Sequence, residues 1–143
     1  MILIDVNVLL YAFRSDSPNH KDYRDWLDAR VNSEEPYGLS DLALASFVRI
    51  ATHPRIFNPP APLAAAIGFA STLRSQPNCV SVLPGPRYWD VFTRLCSASG
   101  AKGNLVADAA FAALAIESGS EWITTDRDYS RFPGLKWRHP LAE

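Results

Sequence analysis

Ile2-Leu3-Ile4-Asp5-Val6-Asn7 is the stretch on which the fold turns: three branched aliphatic side chains in succession, then a carboxylate. A strand with one wet face alternates apolar and polar residues, whereas an unbroken apolar run suits a strand covered on both faces, as in a parallel sheet. The residues that follow, Val8, Leu9, Leu10, Tyr11 and Phe13, read as a short helix with Asn7 as its cap. Asp5 therefore belongs at the carboxyl end of a buried strand, the edge at which open α/β sheets bind ligands.

Working outward, strand-like and helix-like segments alternate. Tyr23, Trp26, Leu27 and Val31 recur at three and four residues within a helix from His20 to Val31, and Asp22, Asp25 and Asp28 form its solvated face. A second helix is expected from about Ser40 to Thr52, with Ser40 as cap and Asp41 in the first turn, where the helix dipole favours an acid. His53-Pro54 and then Pro59, Pro60 and Pro62 mark a loop, which leads into a helix from Leu63 to Arg74. Cys79 to Leu83 reads as a strand and Pro86 to Ser99 as another helix. Asn104 to Ser118 forms a helix that is apolar nearly all round and is stopped by Gly119. Trp122 to Thr125 is a short strand ending at Asp126, and Leu135 to Trp137 is a last edge strand after the Pro133-Gly134 turn. The expected architecture is an α/β sandwich, a central and mostly parallel sheet between helices. With no internal repeat or linker, residues 1–143 are expected to form one domain.

Composition removes several function classes. Hydrophobic residues make up 48% of the 143 and charged residues 20%, which is the composition of an ordinary globular chain. The formal net charge of -1 supplies no global attraction to nucleic acid, so any such contact must come from local patches. Of the 14 basic residues only Lys21, Lys102 and Lys136 are lysines; the rest are arginines, suited to bidentate contact with phosphate. Cys79 and Cys96 stand far apart and read as two reduced thiols, not as a zinc or disulfide framework. The apolar start is broken by Asp5 and lacks a basic leader, and no run reaches membrane-spanning length, so the chain is expected to be cytoplasmic.

Three aspartates resist a purely structural account. Asp5 and Asp126 each end an apolar strand, and Asp108 lies in an apolar helix, where an unpaired carboxylate is costly to bury. Taken singly, each is explained by a cap or turn; taken together, their apolar flanks are not. Carboxylates without Cys or His at ligand spacing favour a hard divalent ion, Mg2+ or Mn2+. Such an ion acidifies water and neutralises charge on phosphoryl oxygens, so phosphodiester hydrolysis is the natural reaction class. Asp128 reads equally well as a fourth site acid or a loop residue. Asn7 and Thr125 flank acids and are candidates to orient them, although capping explains Asn7 as well. His20, His53 and His139 sit among charged or proline neighbours and are assigned surface and turn roles. A phosphotransfer domain would also gather aspartates at strand ends. One such class carries a second Asp where Asn7 stands, and no lysine occurs here in a comparable setting.

The ordered set Ile4-Asp5-Val6-Asn7, Gly103-Asn104-Leu105-Val106-Ala107-Asp108-Ala109 and Thr124-Thr125-Asp126-Arg127-Asp128-Tyr129 resembles the VapC toxins of the PIN-domain family. His20 to Leu27, Phe47 to Phe57 and Arg131 to Leu141 resemble one subgroup of them. The resemblance implies a PIN-like three-layer sandwich, Mg2+- or Mn2+-dependent cleavage of RNA, a homodimer, and inhibition by a cognate VapB antitoxin. Asp5, Asp108 and Asp126 match the family's metal-site acids, and Asp128 an additional acid beside them. One residue departs from the pattern: the family's glutamate on the second long helix, just before the aromatic Phe47, is here Ser46. Asp41, five residues earlier, would face roughly 140° away on a helix. The departure keeps open a PIN fold that binds RNA or antitoxin without efficient cleavage. For RNA docking, Arg127 and Arg131 flank the acids, with Arg49 and Arg55 as further phosphate contacts.

Overall fold

The structure is a computed structural model and describes residues 1–142; the last residue of the expected domain, 143, lies outside the described residues. Five strands, β1 (Ile2–Ile4), β2 (Tyr37–Leu39), β3 (Cys79–Ser81), β4 (Glu121–Ile123) and β5 (Trp137–Arg138), form one sheet in the order β3-β2-β1-β4-β5. Every pairing is parallel. Six helices, α1 (Val6–Phe13), α2 (His20–Val31), α3 (Asp41–Ala51), α4 (Leu63–Arg74), α5 (Tyr88–Ser99) and α6 (Asn104–Glu117), cover its two faces.

β1 lies in the middle of the sheet, and its apolar run follows from that position. Ile4 packs with α1 to α4 in one core, among Leu9, Leu27 and Phe47. Leu3 points the other way, into a second core with Leu95, Trp122 and the alanines of α6. A strand between two helical layers has no polar face to show, so alternation in direction leaves no alternation in polarity. Aromatic rings anchor both cores: Phe47 lies 5.3 Å from Phe13 and from Phe69, and Trp122 stacks on Phe111 at 5.6 Å. On α6, Ala109, Ala112, Ala113 and Ala115 are fully buried.

Strands β2 and β4 flank β1 and connect in opposite directions, so the crevice beyond the carboxyl end of β1 is the topological switch point of the sheet. Asp5 follows β1 directly and Asp126 comes three residues after β4, which places both at this crevice.

Several expectations needed correction. β2 was missed because its three residues follow Pro36 and contain Gly38; the glycine is required there, since a Cβ would come within 2.9 Å of Val82 Cγ2 and 3.1 Å of the Ile2 carbonyl. β4 begins and ends earlier than expected, and Asp126 starts a 3-10 turn over Arg127–Arg131 instead of closing the strand. Asn7 is inside α1; the cap is Asp5. Ser40, Asp41 and the Gly119 stop behave as expected, with Ser40 Oγ accepting the Leu42 N–H and Gly119 at φ 68°. Both cysteines are free and half-buried. No helix among the described residues is long and apolar enough to cross a membrane.

One contact ties the far end of α6 to the loop after β3. The Glu117 carboxylate accepts the N–H groups of Gly85 at 2.6 Å and Arg87 at 2.8 Å. A Cβ on Gly85 would stand 2.7 Å from Glu117 Oε2, so only glycine fits against the carboxylate without displacing it.

Candidate active site

Asp5 extends the β1 to β4 pairing by donating its N–H to the Ile123 carbonyl at 2.9 Å. Its side chain is 6% exposed. Oδ1 accepts the Val6 N–H at 2.6 Å and Oδ2 accepts the Thr124 hydroxyl at 2.6 Å. The same Thr124 oxygen accepts the Asp126 N–H at 3.0 Å, so one hydroxyl links the two strand-end segments. Burial pushes the Asp5 carboxyl up to about 6, its two hydrogen bonds restrain the rise, and the charges of Asp108 and Asp126 add to it.

Asp108 lies in the second turn of α6, half-buried, where Oδ1 accepts the Tyr129 hydroxyl at 3.3 Å. Burial raises its pKa, the Tyr129 bond opposes the rise, and Asp126 and Asp128 reinforce it. Asp126 caps the 3-10 turn, with Oδ1 accepting the Asp128 N–H at 2.9 Å. Asp5, Asp108 and Asp126 come from three separate elements; Asp108 and Asp126 both raise the proton affinity of Asp5, and Asp126 raises that of Asp108.

The remaining candidates divide. Asp128 is exposed at the rim, 3.8 Å from Arg131. Asn7 receives the Thr125 N–H at 3.5 Å, a long contact that ties α1 to the segment after β4. Arg127 is exposed and forms no ion pair among the described residues; Arg49, Arg55 and Arg131 are exposed as well. The histidines have local roles: His20 Nδ1 contacts the Tyr11 carbonyl, and His53 and His139 each accept a backbone N–H two residues on.

Thr124 and Tyr129 were not singled out from the sequence. Parity would have found Thr124. Ile4 pairs with Ile123, so Asp5 lies beside Thr124, both on the face that carries Leu3, Trp122 and α6. Tyr129 offered no such signal, because its ring is 2% exposed and reads as core.

Ser46 opens onto a cleft of about 280 Å³ that is also lined by Ser40, Asp41, Ala107, Ala110 and Phe111. Asp41 does not stand in for an acid at position 46. Both of its oxygens are bonded by Arg74, at 2.7 and 3.1 Å, and that guanidinium holds its carboxyl below the usual range.

The donor set is the one a hard cation requires: carboxylate oxygens, without thiol or imidazole. Asp108 Oδ2 and Asp126 Oδ2 accept no hydrogen bond among the described residues, while the second oxygen of each is held. The acids are near enough to repel one another, yet among the described residues no three His, Cys, Asp or Glu side chains are gathered at ligating distance.

Comparison with known proteins gives a consistent result. The family model for the PIN domain matches residues 2–135. Ribonuclease VapC43 of Mycobacterium tuberculosis is 43% identical over 141 residues, covering 99% of this chain and 96% of its own. Ribonuclease VapC25 of the same organism is 39% identical over 140 residues, with 98% and 99% covered. Among solved structures, VapBC2 from Rickettsia felis bound to a promoter DNA fragment superposes with a TM-score of 0.68 at 16% identity, covering 97% of this chain and 98% of that one. VapBC-1 from nontypeable Haemophilus influenzae gives 0.68 at 16%, covering 99% and 100%. At that identity the likeness concerns the fold alone.

Proposed function

This chain belongs to the PIN-domain family, and from that premise we propose that it is a single-domain VapC-type toxin, an endoribonuclease that hydrolyses RNA phosphodiester bonds. The observation that carries the reading is the convergence of Asp5, Asp108 and Asp126 from three elements on the switch point of the sheet, where burial makes Asp5 and Asp108 costly to ionise and the charge of Asp126 adds to that cost.

Asp5, Asp108 and Asp126 would hold Mg2+ or Mn2+, which when bound supplies Lewis acidity to a water and to the phosphoryl oxygens. The chain's own groups do the rest. Thr124 fixes Asp5 and the backbone of Asp126 in one hydrogen-bonded unit, and Val6 N–H holds the other Asp5 oxygen. Asn7 and Thr125 brace α1 against the segment that bears Asp126. Asp128, exposed at the rim 3.8 Å from Arg131, would take a proton from the attacking water, while the leaving oxygen gains its proton from solvent. Arg127 and Arg131 offer guanidinium groups to the RNA backbone beside the acids. A cognate VapB antitoxin, suggested by the VapBC complexes among the structural neighbours, completes this reading, together with a homodimer and a cytoplasmic setting as the sequence resemblance implies.

Ser46 favours a second reading: with no acid there, and Asp41 committed to Arg74, the fold would bind RNA or antitoxin without cutting. Purified protein, freed of antitoxin and incubated with total bacterial RNA, decides between them. Discrete fragments with Mg2+ or Mn2+, and none in EDTA, are expected. Intact RNA with either ion, from protein that is folded and still retains RNA, would establish the second reading.

Arg127→Ala is expected to weaken RNA binding and to reduce the slope of log affinity against log salt by about one. Filter binding across a salt series measures it, and an unchanged slope would remove Arg127 from the interface.

A further inference from the structure

Asp108 presents a physical problem that the other two acids do not share. Asp5 has both oxygens bonded, and Asp126 is fixed as the cap of its turn. Asp108 projects from a helix face on two rotatable bonds, half-buried, with Asp126 and Asp128 both raising its pKa by repulsion. Without a cation, repulsion favours its swinging away from Asp126 into solvent. Only one hydrogen bond opposes this among the described residues, from the Tyr129 hydroxyl at 3.3 Å.

We propose that Tyr129 is the positioning residue of Asp108: its hydroxyl holds one carboxylate oxygen, leaves the other for a divalent cation, and so sets the affinity of the acid cluster for that ion. The inference rests on reading the cluster as a metal site.

The surroundings of Tyr129 suit this role. Its ring lies 5.4 Å from Trp122 and 5.9 Å from Phe132, both fully packed in the second core, so the hydroxyl has little freedom to follow a moving carboxylate. It sits three residues after Asp126, in the 3-10 turn that Asp126 caps. One rigid ring thus sets the spacing between an acid on the β4 loop and an acid on α6, elements with no other side-chain hydrogen bond between them among the described residues. A hydrogen bond to a charged acceptor is stronger than a neutral one, and partners that orient metal ligands commonly control affinity by 10- to 100-fold, so about tenfold is expected here.

Tyr129→Phe tests this, because it keeps the ring and removes only the hydroxyl. Mn2+ affinity is measured calorimetrically on folded protein for wild type, Tyr129→Phe, Asp108→Asn and Tyr37→Phe. The last removes another buried hydroxyl, one that donates to the Leu73 carbonyl at 2.7 Å, far from the acids in sequence and on the other core. Tyr129→Phe is expected to bind Mn2+ about tenfold more weakly, Asp108→Asn to lose binding, and Tyr37→Phe to match wild type. In RNA cleavage the Tyr129→Phe deficit should shrink as Mn2+ is raised, with kcat recovering at saturation, which loss of packing alone would not produce. If Tyr129→Phe binds as wild type while Asp108→Asn does not, Tyr129 is a packing residue and the metal site stands. If wild type binds no Mn2+, or Asp108→Asn binds as wild type does, the metal-site reading falls and this inference falls with it.

Discussion

Asp108→Asn is expected to lower RNA cleavage by at least about a hundredfold while the protein keeps its fold. The size follows from what one correctly placed electrostatic group contributes when charge develops on a phosphoryl group, about 10²- to 10³-fold. The selectivity follows from the geometry. Asparagine has nearly the volume of aspartate, its Oδ1 can still accept the Tyr129 hydroxyl, and the side chain is only half-buried, so the change removes a charge and little else. Asp108 is therefore a cleaner probe than Asp5, which is built into the start of α1. Initial rates on a defined RNA, with circular dichroism as the control for folding, provide the measurement. A variant within tenfold of wild type would mean that the chemistry takes place elsewhere.

The second large effect concerns stability and has an unusual sign. In EDTA, the wild-type protein is expected to lose on the order of 3 kcal/mol of Asp5-linked stability as pH rises from about 4 to 7. The Asp5 carboxyl is pushed from 3.8 up to about 6 by burial, so the folded protein holds this proton more tightly than the unfolded chain does. Stability from that difference is fully present below the unfolded value and is lost as pH rises through the folded one, the reverse of the usual surface aspartate. Other carboxylates titrate in the same range, so the quantity to measure is the difference between wild type and Asp5→Asn in urea unfolding at several pH values. The amide alters the hydrogen bond with Thr124, but that cost does not depend on pH and drops out of the slope. The expected outcome is a stability advantage of Asp5→Asn that grows across this interval, and Mg2+ or Mn2+ at neutral pH should raise the stability of wild type alone. A difference independent of pH would show that Asp5 is not strained by burial.

The fold was legible where a residue's role could be read from its neighbours in the chain. The apolar run Ile2 to Ile4, the spacing of Tyr23 and Leu27, and the glycine after α6 each carry a local pattern with one physical explanation. β2 was not legible, because three residues with a central glycine have neither length nor periodicity, and Gly38 is there for a close approach to Val82 that only the tertiary structure creates. The site divides in the same way. Asp5, Asp108 and Asp126 were visible as carboxylates in apolar company. Thr124 and Tyr129 were not, since a threonine at a strand end and a tyrosine in a core are unremarkable until register and packing bring their hydroxyls to an acid. Asn7 has the side chain of a helix cap, yet α1 already begins at Val6, so Asp5 takes the role and accepts the Val6 N–H.

The clamp between Glu117 and the loop at Gly85 bears on how this sequence is free to drift. Positions 85 and 117 are coupled: a side chain at 85 would push the Glu117 carboxylate aside, and loss of the carboxylate hands two exposed amides to water. Each change alone is therefore mild, and what either one removes is the direct tie by which a helix end fixes an outward-facing loop.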